Sequence, residues 1–265
     1  MIGLLQPEHT GRYADLTFPS YRAALHSAES IIAVSASVGG AAAGLGLARI
    51  DGDVLSIAVR DAHRRQGIGR ALLARLEEEL SAAGARAATC TYMTENPSTE
   101  AVEKILRARN WETPVERMLV CRAPIAPVKK ASWVQTAASL DVVPWEEVPR
   151  AGRAAFDSSE GFEPANSLGV RIGGGLAGCV VTHRIARSLL RYTKLAMRPG
   201  LEKSGIGLAL LAEAIRRHPN DTNEEEEAGI WDVRMDNRLM LNLVRRRLQP
   251  YLTRVSKTMG SRKLL

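Results

Sequence analysis

The sequence predicts an α+β fold in two similar halves, each a mixed, mainly antiparallel sheet flanked by helices. Three observations carry that prediction. Strand-like runs joined by tight turns precede the first long helical pattern. A basic, glycine-spaced turn, Arg64-Arg65-Gln66-Gly67-Ile68-Gly69-Arg70, then links an apolar strand to an amphipathic helix. The same junction returns without a gap, residues 55–73 (LSIAVRDAHRRQGIGRALL) matching 193–211 (TKLAMRPGLEKSGIGLALL) at eight positions. Ala58, Arg60, Gly67, Ile68, Gly69, Ala71, Leu72 and Leu73 recur as Ala196, Arg198, Gly205, Ile206, Gly207, Ala209, Leu210 and Leu211.

In chain order, residues 2–5 form a short apolar strand, and residues 7–28 read as two short helices broken near Thr17-Phe18-Pro19. The β-branched run 31–34 is a strand, followed by a Gly39-Gly40 turn. Runs 43–50 and 54–59 flank Asp51-Gly52-Asp53, a hairpin signal. Ile68, Leu72, Leu73, Leu76 and Leu80 share one helix face, and Gly84 supplies the C-terminal cap. A strand over 87–93, a helix from Ser98 or Thr99 to about Arg109, and a last strand over 117–121 complete the first half. The proline-interrupted stretch 124–131 reads as a linker, which places one domain at 1–123 and the other at 132–265. In the second half the runs 168–172, 176–184, 189–197 and 230–235 repeat the strand order, with a Gly173-Gly174-Gly175 turn between the first two. Asn237 opens a helix much as Asn96 does. Two copies make two domains rather than a solenoid.

Composition bounds the rest. The 265 residues are 45% hydrophobic and 25% charged, an ordinary globular balance. No apolar run approaches the about eighteen residues of a membrane span, and the first residues lack a charged, then apolar, leader pattern. A cytoplasmic protein with no membrane partner is expected. Cys90, Cys121 and Cys179 are widely spaced and form no CxxC pair, against structural zinc or a disulfide framework, and no metal is expected. The net charge of +7 is uneven, because eight basic residues follow Asp236, the last acidic one. With few aromatics nearby for base stacking, this favours a solvated face or contact with the run Glu224-Glu225-Glu226-Glu227 over a nucleic-acid surface.

The turn itself suits a pyrophosphate. A helix start offers unpaired N–H donors and a partial positive charge, and Gly67 and Gly69 admit close backbone approach and positive φ. A Rossmann reading fails, since the spacing is RxxGxG after antiparallel hairpins, not GxGxxG.

These residues resemble the GNAT superfamily of acyl-CoA-dependent N-acetyltransferases, whose signature is an apolar strand and then Arg/Gln-x-x-Gly-x-Gly/Ala. Val59 and Arg64 to Gly69 match it fully, and Asn96 with Asn110-Trp111 is similar to the family's later Asn, helix and Gly-Phe. The resemblance implies that acetyl-CoA lies between two splayed strands, 54–59 and 87–93. Backbone amides of Arg65, Gln66, Gly67, Ile68, Gly69 and Arg70 would hold the pyrophosphate, with Arg64 as first motif position. The backbone of Ile57, Ala58 and Val59 would hold the pantetheine arm and polarise the thioester, and Asn96 would face its thiol end. Family members often place a carboxylate where this chain has Asp53, the implied base, and a Tyr in the helix before Gly-Phe. Here Ile105 and Leu106 stand in that helix, so Tyr92 on the strand is the substitute acid. In the second copy Glu202 replaces the first motif residue and Arg191 stands where Asp53 does, which favours the first half for catalysis. The expected reaction is direct acetyl transfer to a primary amine in a ternary complex: a small-molecule acceptor is preferred, an anionic one suiting the basic second half, with a protein Lys or N-terminus, or a non-catalytic acyl-CoA-binding scaffold, as alternatives. A monomer or homodimer fits either.

Overall fold

The computed structural model describes residues 1–26, 30–154, 156, 161–219 and 227–265. Among them are twelve strands: β1 (Ile2–Leu4), β2 (Ile31–Val38), β3 (Ala41–Arg49), β4 (Asp53–Val59), β5 (Ala87–Met93), β6 (Val115–Pro124), β7 (Val142–Pro144), β8 (Leu168–Ile172), β9 (Gly175–Ala186), β10 (Leu189–Met197), β11 (Ala228–Arg234) and β12 (Arg254–Leu264). The chain divides into two compact units. Met1–Arg117 with Lys257–Leu265 form the first, and Met118–Ser256 the second.

In the first unit β1, β2, β3 and β4 are antiparallel neighbours, β4 and β5 are parallel, and β12 runs antiparallel to β5. In the second unit β7, β8, β9 and β10 are antiparallel neighbours, β10 and β11 are parallel, and β6 runs antiparallel to β11. The two topologies coincide strand by strand, so the duplication read from residues 55–73 and 193–211 extends through both sheets.

Each sheet carries a helix on the apolar face that its sequence marks. On the helix Ile68–Ala82, Leu72, Leu73, Leu76 and Leu80 are all but inaccessible, each burial worth about 1.5–3 kcal/mol. The helix sits close to β3 because Gly44 and Gly46 leave room. A methyl on Gly46 would come within 2.9 Å of Leu76 Cδ1. The helix Ile206–Arg216 buries Leu210, Leu211 and Ile215 in the second core in the same way.

Three expectations change. The stretch 124–131 is not a linker: it contains the helix Ile125–Lys129, and Ile125, Val128 and Ala131 are buried in the second core. Its prolines fit, because Pro124 caps the helix and Pro127 lies within its first turn, where no N–H is required. The unit boundary accordingly lies at Arg117 and Met118 rather than after residue 123. The strand expected over 117–121 closes the second sheet, and the last nine residues, assigned by sequence to the second domain, close the first. Finally, the segment after Pro7 is mostly 3-10 turns, Pro7–Arg12, Ala14–Leu16 and Ala23–His26, with one helical turn at Pro19–Arg22.

Of the acidic run, Glu224, Glu225 and Glu226 lie outside the described residues, as do residues 27 and 28 of the early helical segment. Glu227 is described and buried. No described helix is long and apolar enough to cross a membrane.

Candidate active site

The first unit places a glycine turn at the mouth of an opened sheet. β4 pairs with β3 up to Val59, but with β5 only at Asp53–Thr89 and Val54–Cys90. Beyond Val54 the strands part, and alternate backbone groups of β4 are released from the ladder on that side. The turn that follows is bent by positive φ at Arg65 (60°) and Gly67 (81°), and the helix begins at Ile68. Its first ladder bond runs from the Ala71 N–H to the Gly67 carbonyl, 3.0 Å. The amides before Ala71 therefore lie ahead of the ladder, in a concavity suited to an anion.

The two glycines serve different ends. Gly67 supplies the left-handed conformation, whereas Gly69 is helical and is required by packing: a methyl there would lie 2.9 Å from Ile105 Cδ1. Positive φ is thus needed at Gly67 and at Arg65, not at Gly69. Arg64 folds back, donating to the Val59 carbonyl (3.1 Å) and pairing with Asp61 (2.7 Å). It ties the end of β4 to the turn, and it occupies one of the backbone groups expected to meet the pantetheine arm. Ile57 and Ala58 lie on the opened stretch of β4, and Gln66 donates to the Ala62 carbonyl.

Asp53 starts β4, where the strands are still joined. Its carboxylate accepts from Arg49 (2.9 Å) and from the Thr89 hydroxyl (3.3 Å). Tyr92 stands on β5 past the parting point and donates to the Glu103 carboxylate, 3.2 Å away on the helix Thr99–Ala108. Burial, with the Glu103 charge added, pushes the Tyr92 pKa well up, so the phenol keeps its proton at neutral pH. Because Asp53 is level with Thr89, Tyr92 lies three residues, ~10 Å, further along the sheet. The structure does not bring the two together. Asn96 holds a turn: its side-chain carbonyl accepts from the Ser98 N–H (3.0 Å) and hydroxyl (2.7 Å), launching the helix Thr99–Ala108.

All three cysteines are buried thiols. Burial pushes Cys90 up to about 12, with the Asp53 charge adding to it, and Cys121 and Cys179 to about 11. None supplies a thiolate near neutral pH.

The second turn has the same shape, with Gly205 at φ 83°, but its amides are partly engaged. The Ser204 hydroxyl accepts from the Ile206 N–H (3.3 Å), and the Glu202 carboxylate accepts from the Gly200 N–H (2.8 Å). Glu202 does turn onto its own loop. β10 and β11 also part, after Arg191 and Ile230, and a cavity of about 400 Å³ opens there. Sequence reasoning missed this cavity and the Glu103 partner of Tyr92. Neither carries a motif.

Residues 1–106 match the model of the acetyltransferase (GNAT) family. No curated protein matches the chain. Among solved structures, the tandem GNAT protein from the clavulanic acid biosynthesis pathway superposes with a TM-score of 0.64 at 17% identity, over 100% of this chain and 98% of that one. A GCN5-related N-acetyltransferase from Sphaerobacter thermophilus gives 0.61 at 17% identity, over 100% and 95%. A probable N-acyltransferase from Enterococcus faecalis gives 0.60 at 10% identity, over 100% and 72%. At these identities the structures speak to fold. The family brings acyl transfer and acetyl-CoA as donor, and the opened β4 edge and amide concavity of the first unit fit that donor. The match to the GNAT acetyltransferase family thus falls within the first unit, and the whole chain is similar in fold to a tandem GNAT protein.

Proposed function

We propose that the protein is an N-acetyltransferase that moves the acetyl group of acetyl-CoA to a primary amine of a small molecule, with the chemistry in the first unit. The observation that carries this reading is the concavity of amides from Arg65 to Arg70, placed where β4 parts from β5. When bound, acetyl-CoA supplies an acetyl thioester. The amides from Arg65 to Arg70 would hold its pyrophosphate, Ile57 and Ala58 would pair with the pantetheine arm through their backbone, and Val59 would do so through the groups that Arg64 leaves free. A β4 amide fixed before charge develops would stabilise the oxyanion.

The attacking amine must be neutral, yet an alkylamine has a pKa near 10.4. Asp53 is the proposed base. Its carboxylate is engaged by Arg49 and the Thr89 hydroxyl, so it would act through water rather than by contact. Tyr92, protonated throughout the neutral range, is the proposed acid toward the leaving thiolate. With every cysteine a neutral thiol, transfer proceeds directly in a ternary complex and not through an acyl-enzyme.

The engaged state of Asp53 and Tyr92 favours a second reading, an acyl-CoA-binding scaffold. Thiol release from acetyl-CoA across a panel of small amines, peptides with free N-termini and Lys peptides separates the two. Turnover of small amines above background supports the proposal. Turnover of peptides alone moves the acceptor class to proteins, and no turnover with intact acetyl-CoA binding leaves the scaffold reading.

A further inference from the structure

The sheet of the first unit has a second face, away from the helix Ile68–Ala82. On β5, Ala88 and Cys90 pack beneath that helix, so Thr89, Thr91 and Met93 point the other way. Part of this second face is covered: Tyr13, Leu16 and Tyr21 pack with Leu45 and Leu47, and the Thr17 hydroxyl lies 3.4 Å from that of Ser56 on β4. The cover ends there, and Thr89, Thr91 and Met93 are exposed.

Charge is laid out in one direction across the uncovered part. Asp53, Thr89 and Arg262 are register partners on β4, β5 and β12 and stand in one row. In the next row Thr91 is opposite Gly260, whose missing side chain leaves room for Arg117: a methyl on Gly260 would lie 2.6 Å from Arg117 Nε. Of the three cations that β12 brings to the first unit, Lys257 is paired with Glu116 and Lys263 with Glu77. The guanidinium groups of Arg262 and Arg117 have no hydrogen-bond or ion-pair partner among the described residues. Asp53 is two strand spacings, ~10 Å, from Arg262, too far for the two to pair, and it is held instead by Arg49.

We infer that this face receives the acceptor, and that the acceptor is a small primary amine carrying an acid group, carboxylate or phosphonate, a short aliphatic chain away. The inference rests on the acetyl-transfer reading for what becomes of the amine. The amine lies toward Asp53 and the parting of β4 from β5. The acid group accepts from Arg262 and Arg117, whose planar forks of N–H donors match such an anion. A neutral alkylamine leaves both guanidinium groups without an anion, and a diamine meets like charge.

Calorimetric titration of the full chain saturated with CoA, which has no acetyl group to transfer, reads binding apart from turnover. 4-Aminobutanoate and 3-aminopropylphosphonate should bind at least about tenfold more tightly than butylamine, as charge-assisted hydrogen bonds imply. The preference should be lost in the double variant Arg117→Gln/Arg262→Gln and return in part in Arg117→Lys/Arg262→Lys. Both side chains are exposed; should the double glutamine variant fail to fold, Arg262→Gln alone decides. The same preference is expected in kcat/KM for thiol release from acetyl-CoA. Equal affinity for butylamine, or a preference unchanged by the glutamine variants, would overturn the inference. So would turnover of butylamine as efficient as that of the two acids, which leaves the acetyl-transfer reading standing. Arginine-dependent binding of the acids without turnover of any amine would support the anion subsite and sink acetyl transfer instead.

Discussion

Single residues distinguish the two turns. Gly67 needs a left-handed backbone that a side chain resists at a cost of about 1–2 kcal/mol, and a carboxylate there would also meet the anion. Gly67→Glu is expected to abolish the thermal shift given by acetyl-CoA, while Gly205→Glu retains it; the reverse pattern would assign the donor to the second unit. Glu77 poses a different question, that of a buried charge. Burial alone would raise its pKa, but Arg109 (2.6 Å), Lys263 (2.6 Å) and the Trp111 indole (2.7 Å) outweigh it and hold the carboxyl below its usual range. A depressed folded-state pKa contributes stability above the ordinary carboxylate pKa, and that stability is lost as pH falls through the folded value. Glu77→Gln should cost about 3–5 kcal/mol at pH 7 and flatten the acid limb of stability, read by urea denaturation between pH 7 and pH 3. An unchanged acid limb would show that other carboxylates set it.

At the scale of elements, close contact between the helix Ile68–Ala82 and β3 depends on small residues in the strand. Gly46→Val should destabilise the chain by about 1–3 kcal/mol through overpacking against Leu76, measured as a lower urea midpoint with an unchanged slope. These elements were largely legible in the sequence. The run 87–93, the glycine turn at Gly39-Gly40 and the run 189–197 appear as expected, because alternation and turn residues act locally. The stretch 124–131 was misread because prolines signal a break, yet at a helix start proline costs nothing and Ile125 and Val128 then point inward.

For the whole molecule, the chain's last nine residues belong to the first unit. Residues 258–264 pair with β5, the Lys263 ammonium reaches Glu77, and the Ser261 hydroxyl donates to the Glu112 carbonyl. Deleting 257–265 should raise hydrogen exchange across β5 and weaken acetyl-CoA binding, while β10 and β11 keep their protection. Equal loss of protection in both units would mean that they unfold as one.

The sequence by itself determined the two-domain plan, the strand order around each glycine turn and the acetyl-CoA signature, because periodicity, turn chemistry and a gapless repeat are encoded in neighbouring residues. Only the tertiary structure decided which sheet takes β6 and which takes β12, which partners hold Asp53 and Tyr92, and that β10 and β11 part to leave a cavity. Those outcomes depend on pairing between residues far apart in the chain, where no local pattern distinguishes one partner from another.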